Sequence, residues 1–368
     1  MNPNLITIDL DAIQHNFGTL RELAGESALI CVVKSDGYGH GLLSVAGALS
    51  DAGAKWFAVA HLEELVSLRN ASFEQRILIL PGIMPSEAAM AVENDATVAL
   101  YRADVAHALS EVAMRLGRLA RCHIKIDTGM SRLGVLPHEF HDFLEEVRVL
   151  PGLAITGAFS HFAVADVPGQ RKTTEQFAAF ADVVQAEAER LPELHIANTG
   201  GILGQCCCGL PLARAGIGLY GTPPADGWEC ADMLRPAMRF SSSLLSVKTI
   251  PAGATVSYGA THLCANETRV GVVPVGYDDG YPRSQPGGGV MLVRGRRVPV
   301  LGRVCMNLTM VDLSEAPDAE PGDEVVVLGR QGDESILVSE LARRAGVITY
   351  EILCALGKQN PREMCAQI

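Results

Sequence analysis

The chain has 368 residues, 48% hydrophobic and 20% charged, which is globular material for about two domains and excludes a disordered or fibrous polypeptide. Its formal net charge of −12 leaves no basic excess for a nucleic-acid partner. No charge-free apolar stretch is long enough to span a bilayer, and the N-terminal MNPNLITIDLDAIQHNF lacks the layout of a secretion signal. The ten cysteines follow no zinc or disulfide-scaffold spacing, so free thiols in the cytoplasm are expected.

In chain order, the run Leu5–Ile8 comes first, and residues 1–7 are expected to pair with a later domain. Eight short apolar runs follow: Ile30–Lys34, Trp56–Ala60, Arg76–Leu80, Thr97–Tyr101, Arg121–Thr128, Ala154–Phe162, Leu194–Thr199 and Ala213–Tyr220. Between most of them lie segments with apolar residues at helical spacing, such as His61–Asn70, Pro85–Asn94, Asp104–Arg118 and Thr174–Leu191. Short apolar runs bounded by Gly, Pro or polar residues suit parallel strands buried on both faces. Eight strand–helix units close a (β/α)8, TIM-type barrel. An open doubly wound sheet is the competitor, but the first turn, Lys34 to Gly39, lacks the G-x-G-x-x-G spacing of that fold. Near Arg235–Ser243 the pattern changes to strands at Ser243–Ile250, Arg269–Val275, Val290–Val293, Arg297–Val304, Leu308–Leu313 and Glu324–Leu328, with two closing helices, Leu337–Ala345 and Tyr350–Leu356. The expected division is a barrel over residues 8–235 and a mostly β domain over residues 236–368.

Polar residues at the C-terminal ends of barrel strands face the active site. Those ends supply Lys34, Lys125 with Asp127, His161, Asn198 with Thr199, and Arg214. The set is cationic and rich in hydrogen-bonding groups, and suits an anionic ligand. A strand-end lysine is most often simply solvated. Lys34 differs because the apolar run Leu29–Val33 delivers it directly into the loop, where desolvation would make its amine nucleophilic toward an aldehyde. A metal-assisted hydrolase built on His161, His195 and Asp127 is an alternative without tight ligand spacing, and His195 is expected to pack or hydrogen-bond within its strand. The adjacent thiols Cys206, Cys207 and Cys208 read as a packed or oxidation-prone loop.

The stretch from Val32 to Gly41, VVKSDGYGHG, resembles the cofactor-lysine motif of the alanine racemase family. The resemblance continues through KIDTGMSRLG at Lys125–Gly134, SHF at Ser160–Phe162, ANT at Ala197–Thr199, RAGIGLYG at Arg214–Gly221 and VSYG at Val256–Gly259. PVGYDDGY at Pro274–Tyr281, GRVCMN at Gly302–Asn307 and YEIL at Tyr350–Leu353 complete the series over nearly the whole chain. It implies a pyridoxal 5'-phosphate-dependent isomerase that interconverts L- and D-alanine, supplying D-alanine for peptidoglycan, with Lys34 carrying the cofactor. Proton delivery to both faces of one carbon needs an acid/base group on each side. The resemblance makes Lys34 one of them and Tyr258, assisted by His161, the other.

The same resemblance implies that Arg214 meets the cofactor's ring nitrogen and that Tyr38, Thr199, Gly216, Ile217 and Tyr350 bind its phosphate. Arg132, Met306 and Tyr277 are implied substrate-binding residues, and Lys125 matches a lysine that is carbamylated in many members. Tyr258 and Met306 are implied to reach the site of a partner chain, giving a head-to-tail homodimer with two composite sites. Asn307 stands where alanine-specific members commonly have aspartate, and Ser35-Asp36-Gly37 replaces the usual Ala-Asn-Ala, so serine is expected as an additional substrate. The rivals are a decarboxylase or lyase of the same layout, against which Arg214 speaks, and a non-catalytic carrier of the cofactor, against which the second domain and Tyr258 speak.

Overall fold

The computed structural model describes residues 3–205, 209–285 and 288–366, so the Cys206–Cys208 loop lies outside the described residues. Strand β1, Leu5–Asp9, is followed by eight parallel strands: β2 Ala28–Val32, β3 Trp56–Val59, β4 Arg76–Ile79, β5 Ala96–Leu100, β6 Ala120–Lys125, β7 Leu153–Phe159, β8 Glu193–His195 and β9 Leu212–Ala215. They pair consecutively from β2 to β8, and β9 returns to pair with β2. No ladder joins β8 to β9, but the Arg214 N–H donates to the Ala197 carbonyl at 2.9 Å across that seam. The intervening helices cover the barrel with one apolar stripe each. In Ala103–Leu116 the buried apolar residues are Val105, Ala106, Leu109, Val112 and Ala113, joined by Ser110, on one face of the helix.

The remaining strands are β10 Met238–Ser243, β11 Ser246–Ile250, β12 Thr255–Val256, β13 His262–Leu263, β14 Thr268–Val273, β15 Val290–Val293, β16 Arg296–Pro299, β17 Thr309–Asp312, β18 Glu324–Gln331, β19 Glu334–Ile336 and β20 Arg362–Cys365. One sheet runs in the order β16-β15-β18-β10-β1-β20, with β19 on β18; β11, β14 and β17 form another. Strand β1 pairs antiparallel with β10, Leu5 opposite Ser241, and parallel with β20, Ile6 opposite Arg362. The first and last described strands thus lie side by side, with Ile6 and Ile8 buried in the apolar core.

Several barrel strands end earlier than expected, whereas Glu324–Leu328 extends to Gln331. The runs ending at Lys34, Thr128, Phe162, Thr199 and Tyr220 leave the ladder early, at Val32, Lys125, Phe159, His195 and Ala215. The tails continue beyond the paired residues as loops, and Lys34, His161, Asn198 and Thr199 on them line the barrel mouth. After Val32 the chain makes a left-handed turn, with φ of Ser35, Asp36, Gly37 and Tyr38 between 52° and 61°. Such a conformation costs about 1–2 kcal/mol per non-glycine residue, so the surroundings must hold it. The helix Thr349–Gln359 does part of this by close backbone approach: a Cβ on Gly357 would sit 1.9 Å from the Gly39 carbonyl oxygen. The expected strand Ser243–Ile250 is divided at Leu244–Leu245 into β10 and β11, which serve different sheets.

Candidate active site

The C-terminal ends of the barrel strands open into a cavity of about 670 Å³. Its walls include Lys34, Tyr38, Lys125, Arg132, His161, Asn198, Thr199, Arg214, Gly216, Ile217 and Tyr350. The ends of six barrel strands and one C-terminal helix therefore bring together residues as far apart in sequence as 34 and 350.

Lys34 begins the left-handed turn. One carboxylate, Glu64, ties that turn down: Oε1 accepts the Ser35 N–H at 2.5 Å, while Oε2 accepts Ala60 N–H at 2.9 Å and His61 N–H at 3.2 Å. On the far side Arg362 donates to the Gly39 carbonyl at 3.0 Å and pairs with Asp36, whose other oxygen accepts the Leu42 N–H at 2.7 Å. Burial lowers the Lys34 amine from its ordinary range, the Arg132 charge lowers it further, and Glu64 opposes both. Sequence reasoning missed Glu64. Its only sequence signal is an acidic residue at the third position of the helix Leu62–Asn70, where a carboxylate can reach back to free N–H groups.

Arg214, 2% exposed, forms the cavity floor. Its Nη2 donates to the carbonyls of Ser160 at 2.7 Å and Ile196 at 2.8 Å and to His161 Nδ1 at 3.1 Å; Nη1 donates to His195 Nδ1 at 2.5 Å. A guanidinium only donates, so His161 and His195 present lone pairs to it and are neutral. Burial and then the Arg132 charge bring Arg214 down to about 9, still a cation at neutral pH. Lys125 is brought to about 7, by burial first and by Arg214 and Arg132 next. Its amine lies over the Phe159 ring at 4.3 Å.

Asp127, the nearby acid, is committed to backbone: Oδ1 accepts the N–H groups of Gly129, Met130 and Ser131, and Oδ2 that of Arg132, each at 2.9 Å. Burial alone would raise this carboxyl, yet these bonds hold it below its ordinary value. At the other end of the cavity Thr199 Oγ1 accepts Gly216 N–H at 3.0 Å and Gly218 N–H at 3.3 Å. Gly216 leaves room there. A Cβ on it would stand 3.3 Å from the Tyr38 hydroxyl and 3.7 Å from Thr199 Oγ1.

Residues 8–224 match the profile described as alanine racemase, N-terminal domain, and residues 237–364 match that of alanine racemase, C-terminal domain. A protein of Syntrophobacter fumaroxidans named alanine racemase is 42% identical over 358 residues, 96% of each chain. The chain belongs to the alanine racemase family. A second relative of that name, from Halothermothrix orenii, is 37% identical over 98% of this chain and 96% of its own. Among solved structures, the alanine racemase of D-cycloserine-producing Streptomyces lavendulae superposes with a TM-score of 0.93 at 36% identity, covering 99% of this chain and 97% of its own. The biosynthetic alanine racemase of Pseudomonas aeruginosa gives 0.91 at 35% identity, with 99% and 100% covered.

Against the racemase family's residue pattern, three expected members lie outside this chain's own cavity. Tyr258, Met306 and Tyr277 are 68%, 54% and 41% exposed on the C-terminal domain. They form one patch. Ser257 Oγ donates to the Arg303 carbonyl at 2.5 Å, the Tyr277 N–H to Cys305 at 3.1 Å and the Asp278 N–H to Met306 at 3.0 Å. His161 therefore meets Arg214, not Tyr258, within one chain. Asn307, beside that patch, donates to Asp278 Oδ2 at 3.3 Å. His195, expected to pack or hydrogen-bond within its strand, is buried and packs on Phe159, and its hydrogen bonds reach across the barrel to join Arg214 to His123. Both imidazoles are thus engaged by barrel side chains and unsuited to a shared metal. Among the described residues no trio of His, Cys, Asp or Glu is placed for one, and no helix is long and apolar enough to cross a membrane.

Proposed function

We propose that this chain interconverts L- and D-alanine with pyridoxal 5'-phosphate as cofactor, as a cytoplasmic head-to-tail homodimer, and accepts serine more slowly. The observation that carries the reading is one cavity with a desolvated amine, Lys34, and a guanidinium, Arg214, on its floor.

The residues fit that cofactor. An aldehyde needs a neutral amine, which burial of Lys34 favours. A phosphate needs donors around a space without a side chain, which Tyr38, Thr199, Ile217, Tyr350 and the bare Cα of Gly216 offer. When bound, the cofactor withdraws electrons from the substrate's Cα and acidifies its proton. Lys34 would then hold or return that proton on one face. Tyr258 of the partner subunit would do so on the other. Arg214 would donate a hydrogen bond to the ring nitrogen without surrendering its proton, limiting electron withdrawal and favouring prompt reprotonation over decarboxylation. Arg132, with Met306 and Tyr277 of the partner subunit, would receive the substrate carboxylate. The exposed patch around Tyr258 supports the dimer, because an isolated chain leaves those apolar side chains in water.

The reading is tested by incubating purified protein and cofactor with L-alanine and, separately, L-serine, followed by chiral analysis. D-alanine accumulates until the two enantiomers are equal, and kcat/KM for serine is lower but measurable. Absence of D-alanine overturns the reading, whereas absence of D-serine removes only the broader specificity suggested by Asn307.

Lys125 carries a separate prediction. Burial and the charges of Arg214 and Arg132 outweigh the opposing charge of Asp127, whose oxygens are turned to backbone N–H groups, so the neutral amine is favoured. That amine would add to carbon dioxide, lose a proton and become a carbamate facing the two arginines. In carbon-dioxide-free buffer the folded form gives up the Lys125 proton at about 7, against 10.5 for an ordinary lysine. Between those values the unfolded chain binds more protons, so this group makes stability rise with pH. Urea unfolding at the two ends of that window should show the rise, and Lys125→Met should reduce it; an unchanged slope in the variant contradicts the assignment.

A further inference from the structure

A single file of side chains crosses the barrel interior from the cavity floor to the opposite end. Beyond Arg214, His195 Nε2 lies 2.9 Å from His123 Nδ1, and His123 Nε2 lies 2.8 Å from Glu193 Oε2. Arg76 closes the file, meeting both Glu193 oxygens, with Nη2 2.9 Å from Oε2. Arg214, His195 and His123 are buried. Glu193 and Arg76 are the first residues of β8 and β4, at the end of the barrel remote from the cavity. Aromatic rings brace the file: Phe159 stacks on His195 at 4.7 Å, and the Arg76 guanidinium lies 3.9 Å over Trp56, which also contacts His123.

The chemistry of the two ends dictates every proton between them. Arg214 has no acceptor, so His195 must offer a bare Nδ1 and carry its proton on Nε2. That proton points at His123 Nδ1, which must then be bare as well. His123 accordingly carries its proton on Nε2 and donates it to Glu193. Starting from the carboxylate, which only accepts, gives the same tautomers. The reverse arrangement would set two N–H groups against each other at Arg214. Burial and then the Arg214 charge keep His195 well below its usual range. Burial would raise Glu193, but bonds from His123 and Arg76 hold it at about 2, an anion throughout the neutral range.

We propose that Glu193, clamped by Arg76, is a positioning residue for Arg214. By anchoring His123, and through it His195, it holds the rings where they decide which guanidinium N–H bonds are consumed by the barrel and which remain for the cavity. The inference rests on the reading that Arg214 faces the cofactor's ring nitrogen.

The test uses the full-length protein with isotope-labelled histidine. Near neutral pH the ring-nitrogen spectra should show His123 and His195 neutral and protonated on Nε2. Glu193→Leu removes the terminal acceptor: the signals of both rings should move, and kcat for alanine should fall about tenfold with little change in KM. Glu193→Gln keeps a carbonyl acceptor, so both tautomers persist and kcat returns to within about twofold of wild type. If Glu193→Leu fails to fold, the wild-type and Glu193→Gln spectra decide. A proton on His195 Nδ1 in the wild type overturns the proposal, as does a Glu193→Leu protein in which only His123 changes and kcat is intact. The ring signals are read without turnover, so a shift of both rings in Glu193→Leu within a protein that does not racemise alanine supports the positioning role and counts against the functional reading alone.

Discussion

Lys34→Ala is expected to lose the visible absorbance of bound pyridoxal phosphate and to lower alanine racemisation more than about a thousandfold, since tether and proton carrier vanish together. The loss should not come from unfolding. Lys34 is half-buried, and the turn that begins with it is held by Glu64, Arg362 and the packing of Gly39 on Gly357, none of which needs the amine. Circular dichroism and thermal melting of the apo-proteins should therefore be close to wild type. Methylamine added to the variant offers a sharper control, because a small free amine can enter the cavity that the alanine leaves. Retention of full activity by Lys34→Ala would contradict the assignment outright.

Tyr258→Phe is expected to act differently. The phenol lies in the exposed patch with Met306 and Tyr277, outside the cavity that holds Lys34, so its removal should leave cofactor absorbance and affinity unchanged. What it takes away is one of two proton carriers. Removing a general acid/base costs roughly a hundred- to ten-thousandfold, and the cost falls on the direction in which Tyr258 takes the proton. Exchange of the α-proton with deuterated water should consequently survive for one enantiomer and collapse for the other. Equal loss for both enantiomers would mean that Tyr258 does not stand on a single face.

Much of this architecture was legible in the residues. The eight apolar runs gave the barrel because buried parallel strands need no polar face, and their terminal Lys34, Lys125, His161, Thr199 and Arg214 do converge on one cavity. Strand ends were misplaced because periodicity cannot distinguish a paired residue from one that continues in extended form into a loop. The left-handed turn after Val32 was invisible for another reason: Ser35 and Asp36 are held there by Glu64 and Arg362, distant in sequence. The file from Arg214 to Glu193 was illegible in the same sense. His123, His195 and Glu193 sit in strands where burial alone explains an isolated side chain, and only the barrel's closure aligns them. Strand β20 was missed because Arg362–Cys365 is short and polar; its pairing with β1 supplies what its composition does not.

The central claim is that each site takes its lysine from one chain and its tyrosine from the other. Mixing Lys34→Ala protein with Tyr258→Phe protein, dissociating and reassociating the subunits, and assaying alanine racemisation tests it directly. Mixed dimers would contain one site with both wild-type groups and one with neither, so random pairing should restore about a quarter of wild-type activity from two nearly inactive parents. No recovery, with mixed dimers demonstrably present, would place Lys34 and Tyr258 of a working site on the same chain and contradict the account.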